Sequence, residues 1–215
     1  MVKKATGKKS VKNSVKKSVK KVTKKNLKKS VKKKVADTAT KSSKKVTNKP
    51  AVQKSIKKST ASMPVVGSLA PDFALQSDAH GIVSLSKYRG SNIVLYFYPK
   101  DDTPGCTREA CSFQENKNKL LDANAVVIGV SPDDVRSHAK FRTKYGLDFV
   151  LVADEGHKVC DEYGVWVEKN NYGKKYMGVQ RATFLIDRNG CIAYVWPKVS
   201  VEGHTEEVLE VLSRQ

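Results

Sequence analysis

Charge is spread so unevenly along this chain that only one part of it can build a core. Residues 1–62 carry 23 of the 41 basic side chains, all of them lysine, against one acid, Asp37. Residues 63–215 hold the other 18 basic side chains and 20 acids, so the net charge of +20 belongs to the first segment. That segment has no aromatic residue, and its apolar side chains are mainly valine, with Leu27 and Ile56. It cannot bury enough surface to offset the entropy of ordering a chain, and it is expected to be disordered on its own. It does have a rhythm. Val11, Val15, Val19, Leu27, Val31 and Val35 keep a four-residue beat, and lysine pairs recur at 16/17, 20/21, 24/25, 28/29 and 32/33. A period this short is low-complexity sequence rather than a folded repeat. Folding is left to residues 63–215, opened by Pro64, a length that supports one core.

Within that body, strand patterns are read at 73–76, 83–85, 93–98, 125–131, 150–153, 183–187 and 192–196. The runs at 93–98 and 125–130 are almost continuously apolar, as strands covered on both faces are. Helix patterns fall at 107–121, 133–145, 157–163 and 205–212, and Asn189-Gly190 signals a hairpin between the last two strands. The order β-β-β-α-β-α-β-α-β-β-α predicts an α/β fold, a central mixed sheet with helices on both faces. This is the thioredoxin-like plan. No stretch approaches the length of a membrane span, and no apolar segment near Met1 reads as a secretory signal.

The chemistry concentrates at Cys106. It follows the strand run and the loop Pro99-Lys100-Asp101-Asp102-Thr103-Pro104-Gly105, and it opens a helix. Helix starts present unpaired N–H groups and partial positive charge, and a thiol there loses its proton more readily. Cys111 lies five residues on. On a helical wheel Cys106, Ala110, Phe113, Lys117, Leu120 and Leu121 share one stripe, and Cys111 falls on nearly the opposite side. Five helical steps separate the two Cα atoms by about 7.5 Å along the axis, beyond the disulfide limit of about 6.8 Å. A bridge between them therefore requires the first turns to unwind.

Other readings of these cysteines stand beside that one. A free cysteine is often a small buried hydrophobe, and Cys160 and Cys191 are read that way. The four histidines, at 80, 138, 157 and 204, are scattered and give no zinc spacing. A C-x-x-C redox pair is replaced here by C-x4-C. A Cys–His protease pair lacks a histidine in any segment expected to approach Cys106. Four cysteines in a chain without an export signal suggest a reducing compartment, where a disulfide is more often catalytic than structural.

At these residues the chain resembles a peroxiredoxin. The P-x3-T-x2-C signature reads as Pro99, Thr103 and Cys106. The block from Tyr96 to Thr107, with Ala110-Cys111, is similar to the Q-type branch, also called bacterioferritin comigratory protein. The similarity continues through Gly129-Val130-Ser131, Lys158-Val159-Cys160, Tyr163-Gly164-Val165-Trp166 and Arg181-Ala182-Thr183-Phe184-Leu185-Ile186-Asp187, and it leaves out the arm. The resemblance implies a thioredoxin-dependent thiol peroxidase acting on hydrogen peroxide and alkyl hydroperoxides. It implies Cys106 as the peroxidatic thiol and Cys111 as the resolving thiol, joined by a transient Cys106–Cys111 disulfide. Thr103 would hydrogen-bond the peroxide and the thiolate, Arg181, on its strand, would sit beside the sulfur, and Pro99 would shape the pocket. It further implies a monomer, thioredoxin as the reducing partner, and no metal, flavin or haem. Read from residue type alone, Arg181 fits a surface salt bridge better than an active site, and Thr103 fits a turn or N-cap.

For the arm, the favoured reading is sequence-independent nucleic-acid binding through counterion release, which falls steeply with salt. Lys32-Lys33-Lys34 also suits nuclear import, giving a nuclear or, in a bacterium, a nucleoid location. An anionic membrane surface, a cleaved organelle-targeting peptide or a passive tail on a cytoplasmic protein are the alternatives. A different class of function stays open at this point: a non-enzymatic DNA-coating protein whose body is a redox-inert adapter.

Overall fold

The computed structural model describes residues 62–215, so the expectations for the arm fall almost wholly outside the described residues. A seven-stranded sheet runs in the order β2-β1-β5-β4-β3-β8-β9. Its strands are β1 (Ala74–Ser77), β2 (Gly81–Ser84), β3 (Asn92–Phe97), β4 (Ala125–Ser131), β5 (Val150–Ala153), β8 (Ala182–Ile186) and β9 (Ile192–Trp196). β3, β4 and β5 are parallel, while β1 joins β5, and β8 joins β3, in antiparallel fashion. The expected mixed thioredoxin-like sheet is thus the one observed. β8 and β9 form the expected hairpin, closed by Gly190 at φ +79° and by Asp187, whose carboxylate accepts from the N–H groups of Asn189 and Cys191.

Strand β3 shows why the sheet sits in the middle. All six of its residues are buried, and they alternate between two cores. Ile93, Leu95 and Phe97 join Phe73, Ile128, Val152, Tyr163 and Phe184 on one face. Val94 and Tyr96, followed by Tyr98, join Cys106, Phe113, Phe141, Leu151 and Leu212 on the other. The second face is covered by α1 (Pro104–Glu115), α2 (Lys117–Asp122), α3 (Val135–Tyr145) and α5 (His204–Leu212). The first face receives α4 (Lys158–Glu162) and the short 3-10 turn Leu85–Tyr88. Gly129 pairs with Tyr96 across β3 and β4, and a Cβ there would come within 2.8 Å of the Tyr96 ring. Only glycine admits that tyrosine.

Several expectations need correction. The helix expected over 107–121 is two helices, broken at Asn116, where the backbone turns to φ −94°, ψ 12°. The break rotates the second piece, so Leu120 stays buried while Leu121, placed on the inward stripe, is exposed. A hairpin, β6 (Trp166–Asn171) and β7 (Lys174–Val179), was not expected at all, and it forms a separate two-stranded sheet. The first strand begins one residue later than expected, and Leu85 belongs to the 3-10 turn rather than to β2. Arg181 is the residue just before β8, not within it. Among the described residues no helix is long and apolar enough to cross a membrane.

Candidate active site

β3 ends beneath the loop that carries the chemistry. The Tyr98 N–H donates to Val130 O at 3.1 Å, which extends the sheet by one residue, and half-buried Pro99 then turns the chain away. Thr103 is the N-cap of α1, with extended backbone (φ −94°, ψ 149°). Pro104 takes the first helical position, where its fixed φ suits the helix and its missing N–H costs nothing. The first helical bond runs from Thr107 N to Thr103 O at 2.8 Å. Cys106 is therefore the third residue of the helix, and among the described residues no side chain caps the N–H groups around it.

Cys106 is 2% exposed, and its sulfur meets a cation. Arg181 donates from Nη2 to Sγ at 3.1 Å, and from Nη1 to Glu109 Oε2 in an ion pair. One guanidinium thus binds the sulfur and a carboxylate one turn further along the same helix. A Cβ at Gly105 would lie 3.4 Å from Arg181 Nη2, so the residue before the cysteine packs directly beside the guanidinium. Burial pushes the Glu109 carboxyl up to about 7, against the pull of Arg181. Burial alone would lower the Arg181 pKa, but Glu109 and then Cys106 raise it overall.

The expected residues are placed as follows. Cys106 and Arg181 are in contact, and Thr103 stands three residues before the sulfur. The Thr103 hydroxyl donates to Lys100 O at 3.0 Å, so of its two expected bonds the one to the sulfur is not made in this structure. Its lone pairs remain free to accept. Cys111 lies on α1 as a free, half-buried thiol, its pKa raised by burial and then by Glu115. The next residue, Ser112, donates through Oγ to Thr205 Oγ1 on α5 at 2.8 Å.

Two charged residues near the sulfur were not anticipated. Glu109 looks in sequence like any solvent-facing helix acid, yet it is 1% exposed. Lys169, from the unexpected hairpin, donates to Val179 O at 2.6 Å, and its pKa is lowered by burial and by the Arg181 charge.

A buried sulfur at a helix start, held by a guanidinium on a thioredoxin-like sheet, defines a thiol-based redox enzyme. Residues 66–195 match the model of the AhpC/TSA family. Peroxiredoxin Bcp of Bacillus subtilis is 48% identical over 147 residues, covering 68% of this chain and 94% of that one. A Xanthomonas campestris peroxiredoxin Q structure superposes with a TM-score of 0.64 at 39% identity, covering 66% of this chain and 90% of that one. A Xylella fastidiosa PrxQ structure gives 0.67 at 37% identity, covering 71% and 96%. The chain belongs to the AhpC/TSA family, and within it to the Q-type (Bcp) peroxiredoxins, which are thiol-dependent peroxidases. That membership removes the reading of a redox-inert adapter.

Proposed function

We propose that Cys106 is the peroxidatic sulfur of an enzyme that reduces hydrogen peroxide and alkyl hydroperoxides, and that Cys111 resolves it. The observation that carries this reading is the 3.1 Å contact from Arg181 to the Cys106 sulfur at an uncapped helix start. The thiolate is the nucleophile, and the guanidinium and the open N–H groups face the sulfur that carries it. The thiolate attacks the terminal oxygen of the hydroperoxide and the O–O bond breaks. Sulfur is oxidised to the sulfenic acid, and the leaving alkoxide takes a proton to become the alcohol, or water when the substrate is hydrogen peroxide. Arg181 and the open N–H groups stabilise charge where it develops. Thr103, whose proton is committed to Lys100 O, accepts from the hydroperoxide O–H, and Pro99 walls the pocket. The alkyl class is supported by a Xanthomonas campestris bacterioferritin comigratory protein studied for alkyl peroxide reduction, 37% identical to this chain.

The sulfenic acid then condenses with the Cys111 thiol, releasing water and forming the disulfide. Both thiols lie on α1, so the helix must uncoil first. An external dithiol, with thioredoxin the favoured partner, reduces the bridge by exchange, and the enzyme works as a monomer. Residues 1–62 tether it to nucleic acid through lysine charge alone. The relatives reported above are bacterial and lend the nucleus no support, so the tether is read as one to a nucleoid.

The test is mass spectrometry after one equivalent of peroxide. A Cys106–Cys111 bridge is expected, and Cys106→Ser abolishes both the bridge and peroxide turnover. Full turnover by Cys106→Ser would end the assignment. For the arm, removal of residues 1–62 should abolish salt-sensitive DNA retention, and equal retention without it removes the tether.

A further inference from the structure

The loop that delivers Cys106 is held from behind by α3, and no side-chain tie of that hold passes through α1. Asp101 is 5% exposed. Its Oδ1 accepts from the Tyr98 hydroxyl at 2.7 Å, and its Oδ2 lies 2.9 Å from His138 Nδ1 on α3. Its backbone N–H donates to Asp133 Oδ2 at 2.7 Å, an oxygen also bound by Ser131 Oγ at 2.8 Å. The next residue, Asp102, stands in the left-handed region at φ +54°. Its carboxylate accepts from Lys144 Nζ at 2.7 and 2.8 Å and from the Tyr145 hydroxyl, both at the end of α3. Thr103 closes the turn on Lys100 O.

These features are costly for a turn that only redirects the chain. Even an aspartate, which tolerates the left-handed region better than most side chains, is strained there. A buried pair of polar side chains such as Asp101 and His138 returns little net stability for its desolvation. By contrast, the ties beyond the sulfur, Glu109 to Arg181 and Ser112 to Thr205, belong to α1 itself. The boundary between the two sets falls at Pro104-Gly105.

We propose that Asp101 and His138, with the outer clasp of Asp102 on Lys144 and Tyr145, are positioning residues of the peroxide site. They keep Pro99 to Thr103 seated on α3 while α1 uncoils from Pro104 onward, so the pocket half of the site persists through turnover and only the sulfur leaves it. The uncoiling half of this rests on the Cys106–Cys111 reading above; the positioning half does not. Loosening the anchor then slows peroxide attack, which needs Thr103 in place, and spares disulfide formation, which needs only a free α1.

The test separates the two steps in the full-length chain. Attack is followed in a Cys111→Ser background, by dimedone capture of the Cys106 sulfenic acid after rapid mixing with hydrogen peroxide. Resolution is followed by bridge formation with Cys111 present. His138→Leu should slow attack about tenfold or more, and leave resolution within about twofold, because misplacing a positioning group by a fraction of an ångström is enough to cost this. His138→Asn offers Asp101 an N–H near the former Nδ1 position and should restore attack to within about threefold. Attack at the native rate in folded His138→Leu overturns the proposal, as does equal slowing of both steps. If that variant does not fold, Lys144→Ala combined with Tyr145→Phe opens the outer clasp and should slow attack about threefold with resolution unchanged; native attack there also overturns it. If no bridge forms even in the native chain, the resolving role of Cys111 fails, and the attack rates alone decide the anchor.

Discussion

Cys106 and Cys160 occupy the same place in two helices and live in opposite fields. Each is the third residue of its helix, α1 or α4, and each is sealed from solvent, at 2% and 0% exposure. At α4 the free N–H groups are taken by a carboxylate: Asp154 accepts from Val159 N at 3.2 Å and from Cys160 N at 2.8 Å. Burial, and then the Asp154 charge, drive the Cys160 thiol far above the ordinary range. At α1 no side chain among the described residues takes the N–H groups, and the charge facing the sulfur is the guanidinium of Arg181. Helix position and burial are matched, so neither makes a reactive sulfur. On the role proposed for Cys106, it is the sign of the neighbouring charge, and whether the helix start is already occupied, that separates the two sulfurs.

Removing the cation breaks the comparison most directly. Arg181→Met should slow the single-turnover reaction with peroxide by about 10²–10³, the range for losing a preorganised donor to developing charge. Arg181→Lys should recover only part of this, because an ammonium cannot reach both Cys106 and Glu109 as the guanidinium fork does. A methionine variant within about threefold of the native rate would leave the guanidinium without the role argued here.

The same cation sharpens the contrast through His204. This histidine is 2% exposed, its Nε2 lies 2.8 Å from Thr183 Oγ1, and burial, then the Arg181 charge, lower its pKa to about 4. Its folded pKa is below its unfolded value, so between pH 6.5 and 4 the unfolded chain binds the extra proton and the histidine's contribution is lost as pH falls. The loss amounts to about 3 kcal/mol over that window. Glu109, raised to about 7, acts with the opposite sign as pH falls from 7 to its unfolded value, so the whole-protein curve mixes the two. The difference between native and His204→Gln urea stabilities isolates the histidine. It should shift by about 3 kcal/mol in favour of the variant from pH 7.5 to 4, and by less in an Arg181→Met background. A difference independent of pH would show that His204 titrates normally.

How much of this could be read from sequence follows the same physics. The bounds of β4, β5 and β9 are legible to the residue because apolar runs between polar turns leave no alternative. The hairpin of β6 and β7 has no buried apolar run to mark it: half of its strand residues are charged or amide, only Val179 is buried, and its pairing is satisfied locally through a turn with Tyr172 at φ +50° and Gly173 at φ +83°. Cys106 at a helix start was legible from Thr-Pro-Gly before it. Glu109 was not, since a helix acid reads as solvent-facing until a partner 72 residues away is known to lie against it. The hold of His138 on Asp101 spans 37 residues and has no local signature either. Short-range chemistry is written in the chain; charge pairing across the fold is not.

On the inert side, Asp154 carries the complementary prediction. Asp154→Ala leaves the N–H groups of Val159 and Cys160 buried without an acceptor, at a cost of about 2 kcal/mol. The urea midpoint should fall accordingly, with the denaturant slope unchanged. Peroxide turnover by the folded fraction should stay at the native level, since α4 packs against the face of the sheet opposite α1. A loss of turnover with no loss of stability would mean that the two faces are coupled in a way the packing does not indicate.

The smallest effect is the most discriminating. Cys160→Ala removes one buried sulfur and should cost about 1 kcal/mol of stability, the transfer and cavity cost of a single heavy atom. Turnover should remain within about twofold, because that thiol stays protonated beside Asp154 and reacts with neither peroxide nor sulfenic acid. The variant keeps the helix, its carboxylate cap and the α1 site intact. A folded Cys160→Ala enzyme that lost tenfold in turnover would show that a buried thiol at a helix start contributes to the redox cycle even when its N–H groups are taken and its neighbouring charge is negative. The contrast between the two helices would then no longer account for which sulfur does the chemistry.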